Sequence, residues 1–402
     1  MWRGGSHPGR GHRALDLVNF FVADAQTGFG PFVAVYLTAN KWTQVEIGFA
    51  LTLGTMTALI SQLPAGALVD SVRRKRLIAG IGVSGIMLAA LLLAVWPVTL
   101  PVLLAQVLHG FASCLLTPAI AAISLQLAGH AALGERLGRN ARFASIGNGL
   151  AAAVMGATGN YLSTKAVFVL TAALCVPALC ALMAIGPGPH SFRQTTSRIW
   201  DPKGLRRLFS DRRLLIFGIC VTLFHLSNAA MLPLAASAVT MRAGSFANVI
   251  IAACIVVPQV FVALLSPWVG RTAERIGRRP LLLLGWAALP LRGVLLALLP
   301  GGWPLVLGQA VSGVSAAVFG VMLPLLAADM TRGTSHFNLC MGVLGLATYL
   351  GAAISTTLSG EIADLAGLPA AFIALALSGA VGTVVIWLAM PETRTVTADD
   401  DN

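Results

Sequence analysis

The chain has 402 residues, 57% of them hydrophobic and only 10% charged, and a mean hydropathy of +0.82. A water-soluble domain of this length has no interior large enough for so much apolar surface, so part of its solvent is lipid. The net charge of +12 does not mark a nucleic-acid surface, because the basic residues cluster in loops between apolar runs.

Residues 1–14, rich in Gly and Arg, read as a disordered tail and not as a cleaved leader, since a full-length span carrying Asp24 follows. Windows of about 20 apolar residues, enough to cross a bilayer as helix, then succeed one another. They predict spans over 15–38, 45–69, 77–95, 102–128, 143–162 and 166–186, a first six-helix bundle covering 15–186. From Leu77 to Leu133 there is no formal charge, and 96–101 (Trp-Pro-Val-Thr-Leu-Pro) reads as a hairpin tip. The loop 187–213, with Pro187, Gly188 and Pro189, divides this bundle from a second one over 214–390. There the predicted spans are 214–240, 247–269, 280–299, 304–328, 339–360 and 368–389, followed by a tail over 391–402. The fold class is an all-α membrane protein of twelve transmembrane helices.

With the N-terminus inside, Lys41, Lys165 and Arg242 fall in outer loops and Arg292 within a span; all other Lys and Arg lie on the inner side. This bias predicts an inner-membrane protein with both termini in the cytoplasm. Cys114, Cys175, Cys180, Cys220, Cys254 and Cys340 all fall in predicted spans with no CxxC spacing. They read as small apolar fillers, neither disulfides nor metal ligands.

The halves repeat each other. Residues 66–76 read GALVDSVRRKR and 270–280 read GRTAERIGRRP, an interval of 204 residues. Gln106 and Gly110 answer Gln309 and Gly313, and Gly147 and Gly156 are matched to Gly342 and Gly351. Small residues at such positions let helices approach closely in lipid. Duplicated six-helix units with matching charged loops belong to transporters.

On these loops the chain resembles the major facilitator superfamily over essentially its whole length. The signature Gly-x-x-x-Asp/Glu-x-x-Gly-Arg-Arg/Lys is complete in Gly270, Glu274, Gly277, Arg278 and Arg279. The first copy has Gly66, Asp70, Arg74 and Lys75, with Arg73 in place of the second glycine. Pro391-Glu392-Thr393-Arg394 is also similar to the tails of many members. The resemblance implies two bundles that rock about a central site, with the Asp70 and Glu274 loops as cytoplasmic latches. An acid beside arginines at a helix end is suited to charge-assisted bonds that open and close. Drug–proton antiporters of this family carry Arg-x-x-Gln-Gly in the fourth span; here Gln106 takes the arginine position and His109 the glutamine position, before Gly110. Ala157 stands where their fifth span has proline.

An ionisable group at bilayer depth calls for a reason, because insertion there costs at least about 2.5–3.5 kcal/mol. Asp24 lies about 13 Å into the first span and His225 about 16 Å into the seventh, at about 1.5 Å per residue. Asp24 suits a proton carrier or an anchor for a cationic solute. His225 suits proton exchange, since imidazole titrates near physiological pH. Arg292, mid-span in the ninth helix, needs a partner such as Asp24 or an anionic solute. Gln26 and Asn228 each precede a proline by five residues and are matched by the repeat; His109, the fourth ionisable candidate for proton or solute contact, sits three residues from Gln106 on one face. Asn19, Gln62, Gln259 and Gln309 complete a polar set able to hydrogen-bond a solute.

No Walker loop, zinc helix or Gly-x-Ser-x-Gly occurs, which argues against an enzyme, a cofactor or a metal and leaves a proton gradient as the energy source. The expectation is a proton-coupled secondary transporter of a small organic solute, with export preferred. It is expected to act as a monomer, with solute and bilayer as its partners. The alternatives are an importer of an organic anion held by Arg292, and a non-transporting sensor or assembly protein of the same fold.

Overall fold

The computed structural model describes residues 8–29, 31–186, 206, 209–235, 247–299 and 302–394. Among these the regular structure is helical: α1 (Pro8–Thr27), α2 (Pro31–Ala39), α3 (Gln44–Ser71), α4 (Lys75–Val95), α5 (Thr99–Ala128), α6 (Leu133–Tyr161) and α7 (Thr164–Ala184). The second half supplies α8 (Arg212–Asn228), α9 (Ala247–Ile276), α10 (Arg279–Leu298), α11 (Gly302–Met330), α12 (Phe337–Ala366) and α13 (Leu368–Ala389). Residues 1–7, most of the 187–213 loop, Arg242 and the 395–402 tail lie outside the described residues.

Among the described residues eleven segments are long and apolar enough to cross a membrane, with α1 and α2 counted as one. α6 is the remaining span, and Gly147, Asn148, Gly149, Gly156, Gly159 and Asn160 keep even its uncharged part, 143–161, weakly apolar. The expected start at 143 is too late by ten residues, because Glu135, Arg136, Arg139 and Arg142 cut off the apolar window. The helix still forms there, as Arg139 is held by Asp16 of α1 through Nε at 2.9 Å and Nη2 at 2.5 Å. Likewise residues 8–14, expected in the tail, form the first turns of α1.

Two spans are broken where the sequence predicts continuous helices. The first stops at Thr27 and restarts at Pro31. The seventh stops at Asn228, turns through Ala229 and Ala230, and resumes over 231–235 with Pro233 in its first turn. Proline has no N–H and disfavours helix in the residue before it, yet is tolerated in a first turn. The two prolines therefore place equivalent breaks in the two halves.

By contacts the chain forms two compact units. Unit 1 is Met1–Gly129, Arg139–Asp201 and Thr334–Gly342; unit 2 is His130–Gly138, Pro202–Gly333 and Val343–Asn402. In unit 1, α5 packs on α3 and α4, and α7 on α1 and α4. In unit 2, α11 packs on α9 and α10, and α13 on α8 and α10. Each of these unit 1 pairings has its counterpart in unit 2, as duplication requires. The core of unit 1 includes Leu15, Ile86, Leu93, Leu115 and Phe168; that of unit 2 includes Phe217, Trp286, Leu289 and Leu326. Outward faces are apolar too: Leu77, Ile81, Leu88, Leu91 and Val95 of α4 are exposed, as expected of a surface solvated by acyl chains.

The repeat register differs from the sequence reading by nine residues. Gly138 lies against the Ser266 carbonyl and Gly342 against that of Gln62; Gly147 packs on α1 and Gly351 on α8. The partners are thus Gly138 with Gly342 and Gly147 with Gly351, at the same 204-residue interval as the charged loops. Glycines recur every nine residues in both helices, so the pattern alone allowed the slip.

Candidate functional site

In unit 1 the polar residues of α1 meet α6. Asn19 is buried, but its Nδ2 donates to the Leu15 carbonyl of its own helix at 2.8 Å, so that amide is occupied locally. Asp24 is 3% exposed, and its Oδ1 has no hydrogen-bond partner among the described residues. It lies against Gly147 of α6, 3.2 Å from where a Cβ would stand, and that Cβ would strike the Phe20 carbonyl oxygen at 2.5 Å, so glycine lets α1 and α6 close here. Thr27 Oγ1 sits 3.0 Å from both the Ala23 carbonyl and Asn148 Oδ1. Asn148 adjoins Gly147 in sequence, which was the available signal for it.

The other unit 1 candidates are placed separately. His109 stacks on Phe29 at the first break, with centroids 4.0 Å apart and planes at 7°. Its Nε2 is 3.3 Å from Ser113 Oγ. Gln106 lies at the α3–α5 crossing beside Gly54 with its Nε2 unpartnered among the described residues, and Gln62 donates to Cys114 Sγ at 3.2 Å. Gln26 is half-buried beside the break.

Unit 2 assembles a tighter cluster. Arg292 is 1% exposed; its Nη1 donates to Asn228 Oδ1 at 2.6 Å and its Nη2 to Gln309 Oε1 at 3.4 Å. Both partners are neutral amides of its own unit, in place of the expected carboxylate, and Arg292 Nε and Gln309 Nε2 have no partner among the described residues. Buried guanidinium groups are ordinarily neutralised. His225, one turn before Asn228, packs beside Gly351 and edge-on to Phe319 at 4.9 Å, its Nε2 also unpartnered. Gln259 is half-buried on α9, with no contact to this cluster described.

In the charged loops the acids meet the starts of helices. Among the described residues Asp70 bonds no arginine. Its Oδ1 accepts from the Asn338 backbone N–H at 3.0 Å and from Asn338 Nδ2 at 2.6 Å, and its Oδ2 from the Leu339 N–H at 2.8 Å. These are the orphan donors at the start of α12, and a carboxylate there also meets the positive end of the helix dipole. Glu274 repeats the arrangement by accepting from the Glu135 N–H at the start of α6 at 3.2 Å. Lys75 is buried, donating to the Val69 carbonyl at 2.6 Å, while Arg73 and Arg74 are exposed.

In the second loop, Arg278 pairs with Asp329 at 2.9 Å, and Glu392 accepts from the backbone N–H groups of Arg278 and Arg279. Burial pushes the Glu392 carboxyl up, but these and two further backbone N–H groups outweigh it and hold the group below its usual range. The tail motif therefore caps α10. Asp16 and Asp329, acids at the edges of apolar runs, escaped the sequence reading.

Gly277 has φ +100 and a Cβ there would strike Glu392. Arg73, its counterpart, adopts no positive φ, since Lys41 is the only such non-glycine among the described residues. The first loop turns differently, which is why it tolerates arginine. Gly277→Ala is expected to destabilise by roughly 1–2 kcal/mol from backbone strain alone, and Arg73→Gly by less than about 0.5. Thermal unfolding of the two variants side by side checks this.

A family model described as Major Facilitator Superfamily matches residues 15–257 and 227–401. An uncharacterized MFS-type transporter of Mycobacterium tuberculosis is 35% identical over 396 residues, covering 96% of this chain and 94% of that one. The class B tetracycline resistance protein of Escherichia coli is 31% identical over 136 residues, 34% of this chain and 33% of its own. Among solved structures, the E. coli fucose:proton symporter FucP superposes with TM-score 0.73 at 16% identity, covering 96% of this chain and 98% of that one. The human organic anion transporter MFSD10 (TETRAN) gives 0.72 at 15% identity, with coverage of 95% and 100%. At such identities these two likenesses establish the fold alone.

Proposed function

This chain belongs to the major facilitator superfamily, a family of multi-pass membrane transporters and not of enzymes, and we propose that it is a proton-coupled secondary transporter that exports a small organic solute. The observation that carries the reading is Asp24, a buried acid with an unpartnered oxygen beside the first helix break. A carboxyl in that setting can gain and lose a proton as its surroundings change, whereas one tied into a salt bridge cannot readily do so. His225, beside the equivalent break, is the second proton-exchanging group. The proton gradient is the energy source, the solute and the bilayer are the partners, and the chain acts as a monomer. The basic loops and both termini face the cytoplasm across an inner membrane, following the positive-inside bias. Export is favoured by the tetracycline resistance relative, which aligns with about a third of the chain.

A thermal-shift screen of the purified protein against cationic, neutral and anionic compound classes at two pH values tests this. Stabilisation by a compound that depends on pH in the wild type, and loses that pH dependence in Asp24→Asn, supports the reading. Stabilisation that is identical in Asp24→Asn and His225→Ala removes it, and favours a non-transporting sensor or assembly protein.

Arg292 supports a second reading, import of an organic anion, because its partners among the described residues are neutral amides. Arg292→Gln is then expected to abolish stabilisation by anionic compounds, a loss of tenfold or more in affinity for one charge-assisted contact of about 1.5–3 kcal/mol. Binding of cations should stay unchanged.

A further inference from the structure

Between α4 and α7, on the outer face of unit 1, lies a groove of about 650 Å³ that none of the transport chemistry uses. Its floor is Leu179 and the buried Leu182; its walls are the exposed Leu77, Ile81 and Met183. Gly80 opens it midway, with nothing within 4 Å of where its Cβ would stand. Arg74 and Arg76 stand at one end, both exposed, and among the described residues no acidic side chain lines the groove. Arg76 Nη1 donates to the Ile185 carbonyl at the end of α7, which fixes that guanidinium at the rim.

We propose that this groove holds one anionic glycerophospholipid, with its phosphate at Arg74 and Arg76 and an acyl chain laid along α4 towards Ser84. From Arg76 to Ser84 the helix rises about 12 Å, close to the roughly 15 Å depth of one leaflet's hydrocarbon. Charge and apolar length thus match a lipid entering from the leaflet that borders the arginine loops. Guanidinium is suited to phosphate oxygens because its fork of donors can bond two at once. The proposal stands apart from the transport reading and needs no solute.

Native mass spectrometry of the full-length protein, incubated with phosphatidylglycerol or phosphatidylcholine of identical chains, tests it. Two basic residues at an anionic headgroup predict roughly tenfold or greater preference for phosphatidylglycerol. In Arg74→Gln/Arg76→Gln that preference falls to about unity, and in Gly80→Leu, whose side chain enters open space, retention of either lipid drops. Equal adducts of the two lipids on the wild type, or adducts unchanged in both variants, overturn the proposal. So does displacement of the lipid by inorganic phosphate, which would mark a headgroup-only site. A dimer mass abolished by Gly80→Leu would also overturn it, assigning the groove to a second copy of the chain.

Discussion

Asp24→Asn is expected to leave the protein folded and able to exchange solute, while a pH difference no longer drives accumulation. Asparagine has nearly the shape of aspartate, so the fit against Gly147 is kept. What it lacks is a titratable proton. For one proton per cycle, each unit of pH gradient is worth about 1.4 kcal/mol, or about tenfold accumulation of solute. Vesicle uptake under an imposed pH gradient should therefore show about that ratio for the wild type and a ratio near unity for the variant. Equal accumulation in both would place coupling elsewhere, with His225 the next candidate.

Asp70→Ala is expected to give the largest loss of stability. The side chain satisfies two backbone N–H groups and the Asn338 amide at the start of α12, and it is buried. Charge-assisted hydrogen bonds contribute about 1.5–3 kcal/mol each, and buried donors left without a partner add to the cost. A net loss of about 3–5 kcal/mol follows, by analogy with breaking a buried pair. Hydrogen exchange at Asn338 and Leu339 should then accelerate by at least about 10²-fold. Asp70→Asn, keeping one acceptor oxygen, should fall between. If both variants exchange at the wild-type rate, the cap does not hold that helix end, and the latch role inferred for the loop fails with it.

Architecture was largely legible in the sequence because lipid imposes a simple rule: about 20 apolar residues per span. The last span was predicted with its observed bounds, 368–389. The rule fails where polar residues are satisfied by contacts distant in sequence. α6 begins ten residues early because Asp16, over a hundred positions away, holds Arg139. The breaks at Thr27 and Asn228 were signalled by Pro31 and Pro233, but an apolar window passes over them. For the site, intramembrane cost singled out Asp24, His109, His225 and Arg292; His109 meets Ser113, and the other three have unpartnered atoms among the described residues. It could not reveal that Arg292 rests on Asn228 and Gln309, because amides carry no charge to mark them as partners. Nor could a motif of acids and arginines reveal that Asp70 and Glu274 cap the helices α12 and α6, since backbone N–H groups leave no trace in composition.

The central claim is that Asp24 itself takes up and releases a proton within the membrane. Infrared difference spectroscopy of the reconstituted protein, recorded between mildly acidic and mildly alkaline pH, tests it without any solute. The account predicts a carbonyl band of a protonated, water-excluded carboxyl that titrates in the wild type and is missing in Asp24→Asn. The same titrating band in both proteins, or none in the wild type, would contradict it.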